Sequence, residues 1–434
     1  MSSSAVTLIG LGILGLVLAG YVAQKYLPPP PPKIVGIDLG TTYSSIAVYH
    51  AVTGEVEVIG DEQERKSIPS VVSFLDNGTV LVGDDAVRQS EHNPTRTFYD
   101  AKRFIGKRFD KEEFLRESSR YPFQLALRDD GFVVFQLDYL KRPTLWPEEI
   151  GSYILSYLKR MAEQTLGFTV SRAVLSVPAE FDDLQRNTTL KAATLAGMEV
   201  YRIINEPTAA ALAYGLHRKQ GVDHVLIFDL GGGTLDVSLL LVQGGMLITT
   251  ATAGNNHLGG QDFTQRLFQR LTEVVSERFE KKLEDKEELQ NLRLASESAK
   301  LDLTNNSWTE VNVPLHSISP HASLHYIVTR EEFETLNDDL FRKVLKPVEA
   351  ALMDVGATKE DVDEVVLVGG STRIPKLRRI IADYFGKEPN YDIDPELAVV
   401  TGVAVQSGVV TGGWPLQVSA TELPTKLKKI HVYE

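Results

Sequence analysis

Two stretches decide the fold: Ile34-Val35-Gly36-Ile37-Asp38-Leu39-Gly40-Thr41-Thr42 and, much further along, Val225-Leu226-Ile227-Phe228-Asp229-Leu230-Gly231-Gly232-Gly233-Thr234. Each is a short apolar run that reaches Asp-Leu-Gly and then turns through Gly and Thr. Each is followed by a second strand-like run, Ser45 to Tyr49 and Val237 to Leu241. The glycine-rich element therefore reads as a hairpin turn between strands, unlike the strand-to-helix turn of a P-loop. No G-x-x-x-x-G-K-[ST] occurs, since Gly106-Lys107 runs into Arg108 and Gly386-Lys387 into Glu388. Two matched hairpins predict a duplicated architecture holding one ligand between two lobes.

Outward from these hairpins the pattern alternates between strands and helices. Gly151 to Leu166 has helical apolar spacing, Ala173 to Val177 is a buried-type strand, and Leu184 to Leu195 reads as a helix. A further helix starts at Ala209 to Tyr214, after Asn205-Glu206-Pro207. Arg266 to Leu303 predicts one or two long helices with a solvated charged face. A third apolar strand, Val365 to Val368, opens into Gly369-Gly370-Ser371-Thr372, with a helix over Pro375 to Tyr384.

Composition narrows the chemistry. The 434 residues carry 45 Lys and Arg against 58 Asp and Glu, a net charge of −13, which disfavours nucleic acid as a partner. With no cysteine, disulfide scaffolds, thiolate metal sites and Cys nucleophiles are excluded.

Ala5 to Ala23 is uncharged and long enough to cross a bilayer as a helix, so residues 1–23 read as a signal peptide or a membrane anchor. Residues 24–33, with five consecutive prolines at Pro28 to Pro32, form an extended spacer. Lys25 and Lys33 place the nearby positive charge on the carboxyl side, which favours a cytosolic globular part if the segment stays uncleaved. Gly10, Gly12 and Gly15 spell a dinucleotide-type G-x-G-x-x-G, but Leu16 to Ala23 has no polar face, which argues against that reading.

Consecutive glycines can present several N–H groups to one anion. Gly231 to Gly233 fit a phosphate cradle, Thr41, Thr42 and Thr234 add hydroxyls, and Asp38, Asp229 and Asp236 offer hard oxygen to a magnesium ion that keeps most of its waters. For one such turn alone, a loop capped by Asp explains the residues equally well. The two copies and the third Gly-Gly strand favour a nucleotide. On composition alone, Lys102 with Arg103 and Lys107 reads as a solvated basic cluster.

Ile37 to Thr42, Ile204-Asn205-Glu206-Pro207-Thr208-Ala209-Ala210, Phe228 to Thr234, and Val368-Gly369-Gly370-Ser371-Thr372-Arg373-Ile374-Pro375 together resemble the signatures of the seventy-kilodalton heat-shock (stress-70) chaperones. The resemblance runs from about Lys33 to Gly408. It implies a two-lobed actin-like (ribonuclease H-like) α/β ATPase fold, with lobe I over 34–218, lobe II with its closing helix over 219–410, and a tail over 411–434. It also implies that ATP or ADP and magnesium bind between the lobes, with potassium as a further cation. Asp38 and Asp229 would hold magnesium through water, and Gly40, Thr41, Thr42, Gly231, Gly232, Gly233 and Thr234 would hold phosphates. Lys102, Glu206, Asp229 and Asp236 would be catalytic. Glu297, Lys300, Gly369, Gly370, Arg373 and Glu396 would form the adenosine side.

Two departures from the family pattern stand out: Leu301 where an arginine usually stacks on adenine, and Glu180 where tyrosine is usual. Pro178 and Arg186, matching interdomain switch residues, are kept. The chain stops before the family's peptide-gripping sandwich would be complete, so no peptide clamp and peptide-independent hydrolysis are expected. In these respects it is most similar to the family's microsome-associated, ATPase-core-only branch. Protein partners or co-chaperones, contact with membrane through residues 5–23 if uncleaved, and an endoplasmic reticulum or microsomal location follow from that resemblance. Asn77, Asn187 and Asn305 lie in N-x-[ST] sequons. A Mg-dependent ATPase, a nucleotide-regulated adaptor with negligible hydrolysis, and a small-molecule kinase of the same superfamily all remain compatible with these residues.

Overall fold

A computed structural model describes residues 12–16, 18, 20, 34–137, 143–411 and 428–433. Most of the expected amino-terminal segment and spacer lies outside them. Among the described residues no helix is long and apolar enough to cross a membrane.

The two quoted stretches each fold as an antiparallel hairpin at the centre of a five-strand path. In the first sheet the order is Glu199–Asn205, Arg172–Val177, Val35–Leu39, Tyr43–His50, Glu55–Ile59. In the second it is Glu364–Val368, His224–Leu230, Leu235–Gln243, Met246–Asn255, Ile430–His431. Both hairpins have a parallel strand beside their first arm. Asp38 pairs with Ser45 in one and Asp229 with Asp236 in the other, so the two aspartates occupy equivalent places one step before the turn. The expected duplication is thus visible in strand order, direction and register.

Helices cover the sheets where the spacing predicts them, with boundaries set by local chemistry. Pro147–Leu166 begins with Pro in its first turn, where no N–H is needed, and the Trp146 N–H donates to Glu149 Oε2 at 2.8 Å. It ends at Gly167, whose φ of 73° suits the left-handed terminator. Asp183–Leu195 is closed by a reciprocal cap in which Gln185 N–H donates to Asp182 Oδ1 at 2.8 Å and Asp182 N–H to Gln185 Oε1 at 3.1 Å. The charged stretch near residue 280 divides into Gly260–Phe279 and Lys286–Asp302, the second capped by Asp285.

Each lobe has its own apolar core. One gathers Ile37, Ile46, Phe98, Phe135 and Leu158, the other Phe228, Phe263, Leu271 and Leu324. A third core joins them: Val174 and Ile204 from lobe I, Ile227 and Val366 from lobe II, and Ala209 to Leu212 with Val399 and Val403 from two small-residue helices. These helices, Glu206–Ala213 and Ala398–Val410, approach so closely that a Cβ on Gly402 would lie 1.7 Å from the Ala209 carbonyl oxygen. The end of the segment expected as a tail also belongs to the fold, since Ile430–His431 is the edge strand of the second sheet.

Candidate nucleotide site

The hairpin turns face each other across a cleft of about 1620 Å³. Its lining includes Asp38, Gly40, Thr41 and Thr42 from the first hairpin, and Asp229, Gly231, Gly232, Gly233, Thr234 and Asp236 from the second. Lys102, Glu206, Gly369, Gly370 and Glu396 also stand on its walls. Glu297, Lys300 and Arg373 are not part of this lining. Lys300 donates to the Gly260 carbonyl at 3.1 Å and to Glu297 Oε2 at 2.8 Å, while Arg373 pairs with Asp394. Leu301 is 53% exposed.

The second turn is held from behind. Gly260 N–H donates to the Gly231 carbonyl at 3.0 Å, Gln261 N–H to the Gly232 carbonyl at 2.7 Å, and the Ser371 hydroxyl to Gly231 O at 2.9 Å. These bonds occupy carbonyl oxygens whose negative ends would otherwise repel an anion. A Cβ on Gly232 would lie 2.0 Å from Thr42 Oγ1, and one on Gly233 would lie 1.5 Å from Arg103 Nη2, so a side chain at either place would displace these two groups from the turn. Thr42 Oγ1 and Arg103 Nη2 are buried and have no hydrogen-bond partner among the described residues. Two unsatisfied buried donors beside a glycine turn are what a phosphate oxygen would repair.

On the opposite wall Lys102 Nζ donates to Glu206 Oε1 at 2.6 Å, with side chains 9% and 16% exposed. Lys102 is therefore not part of a solvated basic cluster, and Arg103, also buried, reaches across to the Asn256 carbonyl at 3.1 Å. Ser176 Oγ donates to Asp38 Oδ1 at 2.7 Å. Burial pushes the Glu206 carboxyl up to about 7, with Asp38 adding to the rise and Lys102 opposing it. Burial likewise lifts Asp229 well above the usual range, reinforced by Glu206, Asp236 and Asp38. Asp38 is raised mainly by burial against the pull of Lys102. Burial works against the Lys102 ammonium too, but Glu206, Asp38 and Asp229 together hold its pKa above the ordinary lysine value.

This excess of negative charge suits a divalent cation, and the donors are the hard oxygens that magnesium prefers. Among the described residues no three acidic or imidazole groups are close enough to grip an ion directly.

The sequence reading missed Arg103, Ser176, Asn256 and Lys429. Lys429 Nζ donates to Asn256 Oδ1 at 2.8 Å and to Glu180 Oε1 at 3.3 Å, and also pairs with Asp236. The unusual Glu180 thus has a basic partner. Arg186 donates to Asn205 Oδ1 at 2.7 Å and to the Phe181 carbonyl at 2.9 Å, and it lines the cleft wall with Pro178.

Two lobes of duplicated topology closing on facing Asp-Leu-Gly hairpins define an actin-like nucleotide-binding architecture. Comparison with known proteins narrows this further. The family model described as Hsp70 protein matches residues 34–422. Heat shock 70 kDa protein 13 of Homo sapiens is 49% identical over 461 aligned positions, covering 97% of either chain, and its Bos taurus counterpart is 48% identical over the same span. Heat shock 70 kDa protein BIP3 of Oryza sativa is 45% identical over 385 positions, which cover 87% of this chain and 57% of the rice protein. The chain belongs to the Hsp70 family and carries its chaperone-like nucleotide-binding ATPase domain.

Proposed function

We propose that this chain binds ATP with magnesium in the interlobe cleft and hydrolyses it, the lobes reporting nucleotide state to protein partners. The observation that carries the reading is the pairing of two unsatisfied donors at the glycine turn, Thr42 Oγ1 and Arg103 Nη2, with the buried Lys102–Glu206 pair on the facing wall. The turn Gly231 to Thr234 with Gly40, Thr41 and Thr42 holds the phosphates. Asp38 and Asp229 would hold a magnesium ion, which when bound would supply positive charge to the triphosphate. Lys102 directs its ammonium to the γ-phosphate, and Glu206, whose carboxyl titrates near neutrality, orients the attacking water and accepts its proton. Asp236 completes the electrostatic cage. Water adds to phosphorus as the bond to the ADP oxygen breaks, a reaction that depends mainly on placement of charge. Gly369, Gly370 and Glu396 border the adenosine end, with Glu297, Lys300 and Arg373 behind it.

A single-turnover assay with saturating Mg-ATP tests this. Phosphate release should fall roughly 100-fold or more in Lys102→Ala. Release by the wild type no faster than by that variant, with ATP still bound, would assign the chain to the nucleotide-regulated adaptors. For location we favour the endoplasmic reticulum lumen or its membrane. Asn77, Asn187 and Asn305 are all exposed, so a lumenal domain offers them for glycosylation. An endoglycosidase mobility shift supports the lumen; its absence with all three sequons intact counts against it.

A further inference from the structure

The cleft receives a second lysine from the far end of the chain. Ile430 and His431 pair in parallel with Ala253 and Gly254, and the Val432 N–H donates to the Gly254 carbonyl at 2.9 Å. Just before this strand Lys429 turns inward until its side chain is 2% exposed. Its ammonium is surrounded by oxygens from both lobes: Glu180 from lobe I, Asp236 and Asn256 from lobe II. The path exists because residue 254 is glycine, where a Cβ would lie 2.4 Å from Lys429 Cε. Outside, Tyr433 stacks on His431 with ring centroids 5.8 Å apart and meets His257 at 5.4 Å, closing the strand over the lysine.

Taking an ammonium out of water is expensive unless oxygens replace its hydration and opposite charge is close. Here three oxygens do so. Burial opposes the charge, but Asp236 and Glu180 hold the pKa above the ordinary lysine value. Among the described residues Lys429 is the one cation ion-paired with either Asp236 or Glu180. Without it, two carboxylates would face the phosphate site uncompensated, an arrangement that draws in a soluble cation or distorts.

We propose that Lys429 is a resident counter-cation of the phosphate cleft: a positioning residue that holds Asp236 in its working place and fills the role a dissolved monovalent cation would otherwise take. The inference rests on the ATPase reading above and adds to it a dependence of the site on an intact carboxyl-terminal strand.

The test compares the full chain with Lys429→Met, which keeps an apolar stem over Gly254 and deletes the charge. Single-turnover hydrolysis by the wild type should be the same in potassium chloride and in choline chloride at equal ionic strength. The variant should be roughly ten- to hundredfold slower in choline and recover most of that loss in potassium. Without nucleotide, potassium should raise the melting temperature of the variant and leave that of the wild type unchanged. A variant as fast as the wild type in choline, or faster, overturns the proposal. So does a potassium requirement in the wild type, or a variant indifferent to potassium in both measurements. If Lys429→Met does not fold, Lys429→Gln, which also deletes the charge but keeps a polar end for Asp236 and Asn256, is judged by the same criteria. A wild type that releases no phosphate refutes the ATPase reading instead, and the nucleotide-free melts still decide the role of Lys429.

Discussion

Glu206→Gln should make the nucleotide-free protein more stable while disabling it. The carboxyl has an ordinary value of 4.5 and is pushed up to about 7 in the folded chain, first by burial and then by Asp38, even with Lys102 Nζ 2.6 Å away. A folded-state value above the unfolded one means that the native protein binds the proton more tightly. The cost of ionising Glu206 is therefore absent below pH 4.5, grows as pH rises, and is complete above about pH 7. The gap corresponds to about 3 kcal/mol. Glutamine keeps the shape and omits the charge, so it should stabilise by about 3 kcal/mol at pH 7 to 8 and by less than about 1 kcal/mol at pH 5. For lobes that melt together this is a rise of roughly 4 °C, readable by calorimetry in chelator across that pH range. Hydrolysis should meanwhile fall roughly 100-fold or more. A stability gain that does not change with pH, or a loss at pH 8, would refute the charge-crowding account of the cleft.

Other perturbations probe different parts of the same frame. His217 is buried, has no hydrogen-bond partner among the described residues, and is pushed down to about 4 by burial and then by Arg218. Its contribution is lost as pH falls from 6.5 towards 4, so His217→Leu should gain about 2 kcal/mol at pH 5 and nothing comparable at pH 8 in denaturant melts. Gly369 has φ 83°, and a Cβ there would lie 2.3 Å from the Leu230 carbonyl and 2.7 Å from Asp229 Oδ1. Gly369→Ala should cost more than about 1 kcal/mol of stability and weaken fluorescent-ADP binding at least about tenfold. Gly36→Ala, whose methyl would lie 2.6 Å from Ala404 N, should destabilise by about 1–3 kcal/mol through overpacking at the lobe junction.

How far the sequence could be read depended on how local each signal was. Asp38 and Asp229 were legible because strand, carboxylate and turn are contiguous, and their equivalent registers follow from that contiguity. The helices over Pro147–Leu166 and Asp183–Leu195 were legible through spacing and caps. Arg103 stood in plain view, but its burial depends on the opposite lobe, which single-chain composition cannot supply, so it resembled a solvated neighbour of Lys102. Glu297 and Lys300 were placed correctly on a helix. The bond from Lys300 to the Gly260 carbonyl, however, requires knowing how two helices cross. Lys429 left no local trace at all: a two-residue strand has no periodicity, and its partners Glu180, Asp236 and Asn256 lie far back in the chain.

The helix Ala398–Val410 comes far later in the chain than Val35–Leu39 and Tyr43–His50, yet it lies against both strands. A ribosome delivering this chain from its amino end therefore releases a first lobe with one greasy face bare, and that face stays bare until residues 398–410 have been translated. Truncation before residue 398 should thus yield an aggregating fragment rather than half a working molecule, and the nascent chain would itself be a natural customer for the holding factors of its compartment.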